Sequence, residues 1–175
     1  VWDPSDQGYQ PCGKQAVKPE GIWYTSITGI WQTVWLEPLP AAAIEKIKLT
    51  PDIDQSRLHV FVDTSGLAVP AIVNVVARDP SKNGAVVGGI RLRVDAATPQ
   101  AEGHVVIDQP TLWSPDSPFL YDLEASLETD TGAVDRITSY FGMRKISLGK
   151  DEAGITRLLL NNKELFQLGP LDQGY

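Results

Sequence analysis

The chain has 175 residues, of which 42% are hydrophobic and 21% are charged, so it is long enough to bury a core. Its net charge of −7 argues against nucleic acid and anionic membrane surfaces as partners. No apolar run approaches the roughly 20 residues needed to cross a bilayer, and the N-terminus has no signal-peptide pattern. The single cysteine, Cys12, excludes an intrachain disulfide.

Four aromatic residues lie close together in the stretch GIWYTSITGIWQTVWLEPLP, residues 21–40. We predict a strand pair here, over about 23–26 and 31–37. The aromatic faces are candidates for stacking on a sugar ring, but burial in a cross-strand cluster is the commoner fate of such residues. The candidate sugar-binding residues are Trp23, Tyr24, Trp31 and Trp35.

Strand periodicity dominates the rest of the chain. The segment AAAIEKIK leads into a first strand with Ile47 and Leu49 facing inward. Turn-rich clusters separate the later segments, with no helix-length pattern between them. The pattern predicts an all-β chain built on an immunoglobulin-like antiparallel β-sandwich of about seven strands. The later strands are predicted at 57–63, 71–79, 89–95, 104–108, 120–128 and 134–141.

Two further segments have turn chemistry of their own. The stretch TLWSPDSPFLY, residues 111–121, must form a rigid corner because proline fixes φ and removes hydrogen-bond donors. Residues 155–169 are predicted to form a hairpin that turns at Asn161 and Asn162, since asparagine tolerates positive φ.

The sequence contains no recognisable catalytic motif or metal-binding cluster, and we expect no cofactor and no metal. DPSKNG, residues 79–84, resembles the start of a calcium loop, but its twelfth position is Ile90 instead of a glutamate, so we predict a turn. His59 and His104 lie far apart in β-like segments, where half-exposed strand positions are their expected role.

The acidic residues of segment 120–130 alternate with apolar ones, which places them on the solvent face of a strand. Such a face lacks the desolvated cleft that drives two carboxyl pKa values apart, so we predict no acid–base catalysis there. These residues are Asp122, Glu124, Glu128 and Asp130.

Three stretches together resemble glycoside hydrolase family 2. TGIWQTVWLEPLP (28–40) resembles the last strands of that family's sugar-binding-like jelly-roll domain, and LWSPDSPFLYDLEASL (112–127) its immunoglobulin-like second domain. SYFGMRKISL (139–148) with LLLNNKELFQLGPLDQGY (158–175) resembles the exit from the second domain and the first strand of the barrel domain.

The resemblance implies three parts. These are a jelly-roll remnant over 1–40, the sandwich over 41–146 and the opening β-hairpin of a TIM barrel over 147–175. It places the family's two catalytic glutamates beyond Tyr175. Asp172 and Gln173 become candidate substrate contacts at the barrel entry, although Leu168–Gln173 departs from the family's usual Arg-Gly-Val-Asn-Arg-His.

The function implied is that of a non-catalytic spacer in a retaining, β-galactosidase-like enzyme that cleaves a terminal β-linked sugar with two carboxylates. Its partners would be the neighbouring domains and, through the parent enzyme, a carbohydrate. The alternatives are a free-standing carbohydrate-binding module and a cell-surface adhesion sandwich. The export of many family members favours a periplasmic or secreted protein.

Overall fold

The computed structural model describes residues 9, 13–27, 29–30 and 32–170. Within them the chain separates into two units. The larger is Pro38–Phe166, and the smaller contains the described residues before Pro38 together with residues 167–170. None of the described helical segments is long and apolar enough to cross a membrane.

Seven long strands form the sandwich, in agreement with the predicted fold class. The strands are β3 (Ala43–Asp52), β4 (Arg57–Ser65), β5 (Ala71–Asp79), β6 (Ala85–Val94), β7 (Gln100–Val106), β8 (Tyr121–Thr129) and β9 (Gly132–Phe141). One sheet has the order β3-β4-β7 and the other the order β6-β5-β8-β9, and every pairing within them is antiparallel.

The core lies between the two sheets because each central strand alternates buried and outward-facing side chains. In β4 the alternating residues Leu58, Val60 and Val62 are all fully buried. Val73 and Val75 of β5 are also fully buried. Each such side chain contributes about 1.5–3 kcal/mol through the apolar surface it removes from water.

The turn after β5 is the predicted hairpin connection rather than a cation loop. Asp79 is buried and its Oδ1 accepts hydrogen bonds from the backbone N–H and the hydroxyl of Ser81, at 2.9 and 2.6 Å. A short 3₁₀ helix, Pro80–Lys82, follows, and Asn83 then adopts a left-handed φ of 56°. The hydrogen bond from the Ser81 side chain is the main reason that the pKa of Asp79 lies below its usual value.

Two strands begin well before their predicted first residues. β6 begins at Ala85 instead of residue 89, and β7 begins at Gln100, inside a stretch predicted to be a turn. Gly103 lies in β7, where the side chains of Ile90 and Leu92 occupy the space that a Cβ would need. Gly103, which precedes the strand predicted over 104–108, is therefore a point of close packing between strands.

The predicted C-terminal hairpin is confirmed. β11 (Thr156–Leu160) pairs with β12 (Lys163–Glu164), and Asn161 and Asn162 have φ of 52° and 65°. β10 (Ile146–Lys150) adds a third antiparallel strand on the other side of β11.

The predicted pairing of a strand over about 23–26 with one over 31–37 is wrong. β2 (Tyr24–Thr25) pairs in parallel with β1 (Gln15–Ala16), and residues 32–37 form no strand. Residue 31 lies outside the described part of the chain. A lone hairpin is only marginally stable in water, and the described residues of this unit offer no third strand to support one.

Replacement of Leu127 by alanine tests the core. Leu127 is fully buried in β8, so Leu127→Ala should lower the free energy of unfolding by about 2–5 kcal/mol. Val86 is 58% exposed in β6, and Val86→Ala should change it by less than about 0.5 kcal/mol. Urea titration of both variants measures the difference, and equal losses would contradict this location of the core.

Candidate functional site

The corner before β8 is built around the tyrosine that opens that strand. Tyr121 is buried, and its ring stacks on Phe141 with centroids 5.2 Å apart and meets the edge of Phe119 at 4.8 Å. Its hydroxyl accepts a hydrogen bond of 2.8 Å from the backbone N–H of Thr111. The Tyr121 side chain therefore connects the two ends of the corner, as expected for the rigid corner predicted from its prolines.

The segment that leaves β9 packs along this corner. Leu112 and Met143 form a parallel bridge, and the Trp113 N–H donates to the Met143 carbonyl at 2.9 Å. A Cβ at Gly142 would lie 3.2 Å from the Cβ of Trp113, so glycine permits the approach. The Arg144 guanidinium lies 4.8 Å from the centre of the Trp113 ring, a cation–π contact.

Asn161 joins the hairpin turn to both of these segments. Its backbone N–H donates to the Lys145 carbonyl at 2.8 Å, and its Oδ1 accepts from the Lys145 N–H at 3.0 Å. Its Nδ2 donates to the Trp113 carbonyl at 2.9 Å. We call these three contacts the Asn161 clamp. The clamp ties the corner, the exit segment and the hairpin together within one unit.

Asp54, in the turn between β3 and β4, adds a second tie. Its Oδ2 lies 2.5 Å from Lys145 Nζ, and its Oδ1 accepts from Asn162 Nδ2 at 2.8 Å. The hydrogen bond from Lys145, followed by that from Asn162, lowers the pKa of Asp54. The carboxylate is thus held ionised between a cation and an amide donor.

A groove of about 380 Å³ borders the clamp, and we call it the junction groove. Its aromatic walls include Tyr140, which is 67% exposed. Sequence reasoning recognised the corner and the turn separately but not that they meet here. The residues that line the groove are Leu49, Pro51, Trp113, Leu120, Tyr140, Phe141, Gly142 and Arg144.

The aromatic sugar-binding candidates are not gathered into one platform by the described residues. Trp23 lines an open cavity of about 770 Å³ in the smaller unit, whose polar lining includes Gln15, Lys18 and Glu20. Tyr24 and Trp35 are exposed but do not line that cavity.

The remaining candidates, Trp31, Asp172 and Gln173, lie outside the described residues. Their assignment as sugar or substrate contacts stays a prediction.

The acidic residues of β8 are surface ion-pair partners. Glu124 pairs with Arg136 of the neighbouring strand β9 at 3.2 Å, and Glu128 pairs with Arg91 of β6, on the far side of β5, at 3.3 Å. This is the solvated strand face that the sequence predicted. Across the described part of the chain, no three His, Cys, Asp or Glu side chains converge on a common metal position.

Comparison with known proteins agrees with this architecture. The model of "Glycosyl hydrolases family 2" matches residues 42–144, more than half of the chain. A β-galactosidase of Thermoanaerobacter pseudethanolicus is 24% identical over 139 residues, covering 77% of this chain and 19% of the relative. A β-galactosidase of Halalkalibacterium halodurans is 26% identical over 144 residues, covering 80% of this chain and 14% of the relative.

Solved structures show the same fold. A glycosyl hydrolase family 2 member from Bacteroides cellulosilyticus superposes with a TM-score of 0.61 at 22% identity, over 71% of this chain and 18% of that one. The β-glucuronidase of Bifidobacterium dentium superposes with a TM-score of 0.57 at 23% identity, over 70% of this chain and 20% of that one. The chain spans less than a fifth of the length of the curated relatives named above. Over the sandwich and its corner, the chain belongs to glycosyl hydrolase family 2.

Proposed function

We propose that this chain is a non-catalytic spacer in a retaining glycoside hydrolase that removes a terminal β-linked sugar, as a β-galactosidase does. Its task is to hold a barrel domain at a fixed angle to the sandwich. The observation that carries the proposal is the Asn161 clamp, because it couples the sandwich corner at Trp113 to the hairpin that follows the sandwich.

The clamp suits this task because its bonds are directional and partly buried. Each buried hydrogen bond contributes about 0.5–1.5 kcal/mol, and an unpaired carbonyl or N–H left behind would cost about 1–3 kcal/mol. Rotation of the hairpin would break the bonds from Asn161 to Lys145 and Trp113 together. The hairpin therefore has one preferred orientation on the sandwich.

The sheet of β10, β11 and β12, which we call the hairpin sheet, has an exposed apolar face. This face supports the proposal that another domain packs there. Ile146 and Leu148 of β10 are 70% and 69% exposed, and Leu158, the cross-strand partner of Leu148, is 47% exposed. Contiguous apolar side chains on one sheet face favour burial against another layer. The proposed partner is the barrel domain that this family places after the sandwich.

The substrate class rests on the relatives. Both curated relatives are named β-galactosidases, whereas the solved structures include β-glucuronidases. A β-linked terminal sugar is common to these names. We choose a β-galactosidase-like parent enzyme because both curated relatives carry that name.

The clamp predicts different effects for two adjacent asparagines. Asn161→Gly keeps the positive φ but removes both side-chain bonds, so it should lower the free energy of unfolding by about 1–3 kcal/mol. Asn162→Gly also keeps its φ and loses only an exposed bond to Asp54, so the loss should be below about 1 kcal/mol. Urea titration measures both.

Hydrogen exchange separates a local clamp from a general loss of stability. In Asn161→Gly the amides of Lys145 and Ser147 should exchange faster relative to that of Val73 in the core. If Asn161→Gly and Asn162→Gly behave alike in both measurements, the clamp does not orient the hairpin.

We also expect the isolated chain to hydrolyse no glycoside. Glu124 and Glu128 are each paired with an arginine on an open strand face, which encloses no cleft for a glycosidic bond. A chromogenic β-galactoside incubated with the pure chain should release no more product than buffer does. A family 2 β-galactosidase assayed in parallel is the positive control, and turnover by the chain would refute the spacer role.

A second candidate function, a carbohydrate-binding module, is favoured by one observation. Trp23 is 49% exposed and lines the 770 Å³ cavity of the smaller unit beside polar groups of Gln15 and Glu20. An aromatic face with nearby hydrogen-bonding groups is a common arrangement for small-molecule recognition.

Calorimetric titration with galactose and glucuronic acid distinguishes the two functions. A binding module predicts saturable heat that Trp23→Ala abolishes and that Trp35→Ala leaves unchanged, since Trp35 does not line the cavity. The spacer proposal predicts no saturable heat with either sugar for the wild-type chain.

A further inference from the structure

The outer face of the β3-β4-β7 sheet brings together the only two histidines of the chain. His59 of β4 and His104 of β7 are direct partners in the antiparallel register. Their ring centroids are 5.1 Å apart and their planes are inclined by 44°. Residues 45 positions apart in sequence thus present two imidazoles side by side on a rigid surface.

Glu102 contacts one of these two imidazoles. It lies two residues before His104, on the same face of β7, and its Oε2 is 3.1 Å from His59 Nε2. A neutral imidazole that donates through Nε2 keeps a free lone pair on Nδ1. A carboxylate behind a histidine is the arrangement that orients many metal-binding imidazoles and raises their basicity.

Both imidazole rings are accessible, and two cations lie on the same sheet face. The His59 side chain is 31% exposed and His104 is exposed, so a hydrated ion reaches both rings from solvent. Arg57 precedes His59 by two residues on this face, but its guanidinium is paired with Asp52 at 3.2 Å, which compensates its charge. Lys48 of β3 is in register with Phe61 on the same face, and its charge opposes a bound cation.

We propose that His59 and His104 chelate one divalent transition metal of the class that prefers imidazole, such as Zn²⁺ or Ni²⁺. Water completes the coordination, and Glu102 acts as a positioning residue. Nitrogen ligands suit these ions, whereas Mg²⁺ and Ca²⁺ require oxygen ligands. The sheet fixes both histidine backbones, so little conformational freedom is lost on binding.

Calorimetric titration of the full chain with ZnCl₂ or NiCl₂ at about pH 7.5 tests the proposal. We expect saturable binding of one ion per chain and none with MgCl₂. His59→Ala and His104→Ala should each weaken affinity at least tenfold, since even outer-shell changes cost about 10–100-fold. Glu102→Gln should weaken it less than either and keep the one-to-one ratio.

Cys12→Ser is the matched control, because Cys12 is the single thiol of the chain and is not one of the proposed ligands. Circular dichroism of each variant verifies that the sheet remains folded. Zinc binding that survives either histidine substitution, or that disappears in Cys12→Ser, would overturn the proposal. So would one ion shared by two chains, measured as a dimer by light scattering.

Discussion

The burial of aliphatic side chains between two sheets is the constraint on which the other features depend. Leu58, Val60 and Val62 of one sheet and Val73 and Val75 of the other are all removed from water. Because side chains alternate along a strand, this core also decides which residues face outward. A one-residue slip of β4 would bury His59 and expose Val60, at a cost of several kcal/mol.

The same core sets the position of the clamp. Tyr121 and Phe141 are buried at the paired ends of β8 and β9, so the segments next to them are held side by side. Trp113 then lies against Gly142, and the exit segment is directed to the turn at Asn161. The rigidity of the junction thus derives from apolar burial first. Hydrogen bonds then select one geometry among those that burial permits.

Local sequence signals predicted the elements better than the contacts between them. Alternation identified β4, β5 and β8 within a few residues, and consecutive asparagines identified the turn at residues 161 and 162. The bond from Asn161 to Trp113 spans 48 residues and depends on strand register, which periodicity does not encode. The pairing of His59 with His104 escaped prediction for the same reason.

The strand predicted over 31–37 failed for a related reason. Its alternation of apolar and polar residues is genuine, but a strand forms only where a neighbouring strand accepts its hydrogen bonds. The described residues of that unit supply only the short parallel pair of β1 with β2. Trp23 and Trp35 are exposed, so the cross-strand burial that the sequence favoured for them does not form.

The distribution of exposed groups supports the proposed spacer role. Several charged side chains on the outer faces of the sandwich have ion-pair partners, as in the pairs of Glu124 with Arg136 and Glu128 with Arg91. Exposed apolar side chains, in contrast, cluster on the hairpin sheet at Ile146, Leu148 and Leu158. Catalysis requires uncompensated polar groups held in a cleft, whereas docking requires apolar area on a rigid element. The larger unit has the second arrangement, and the Asn161 clamp holds that apolar area at one angle to the sandwich.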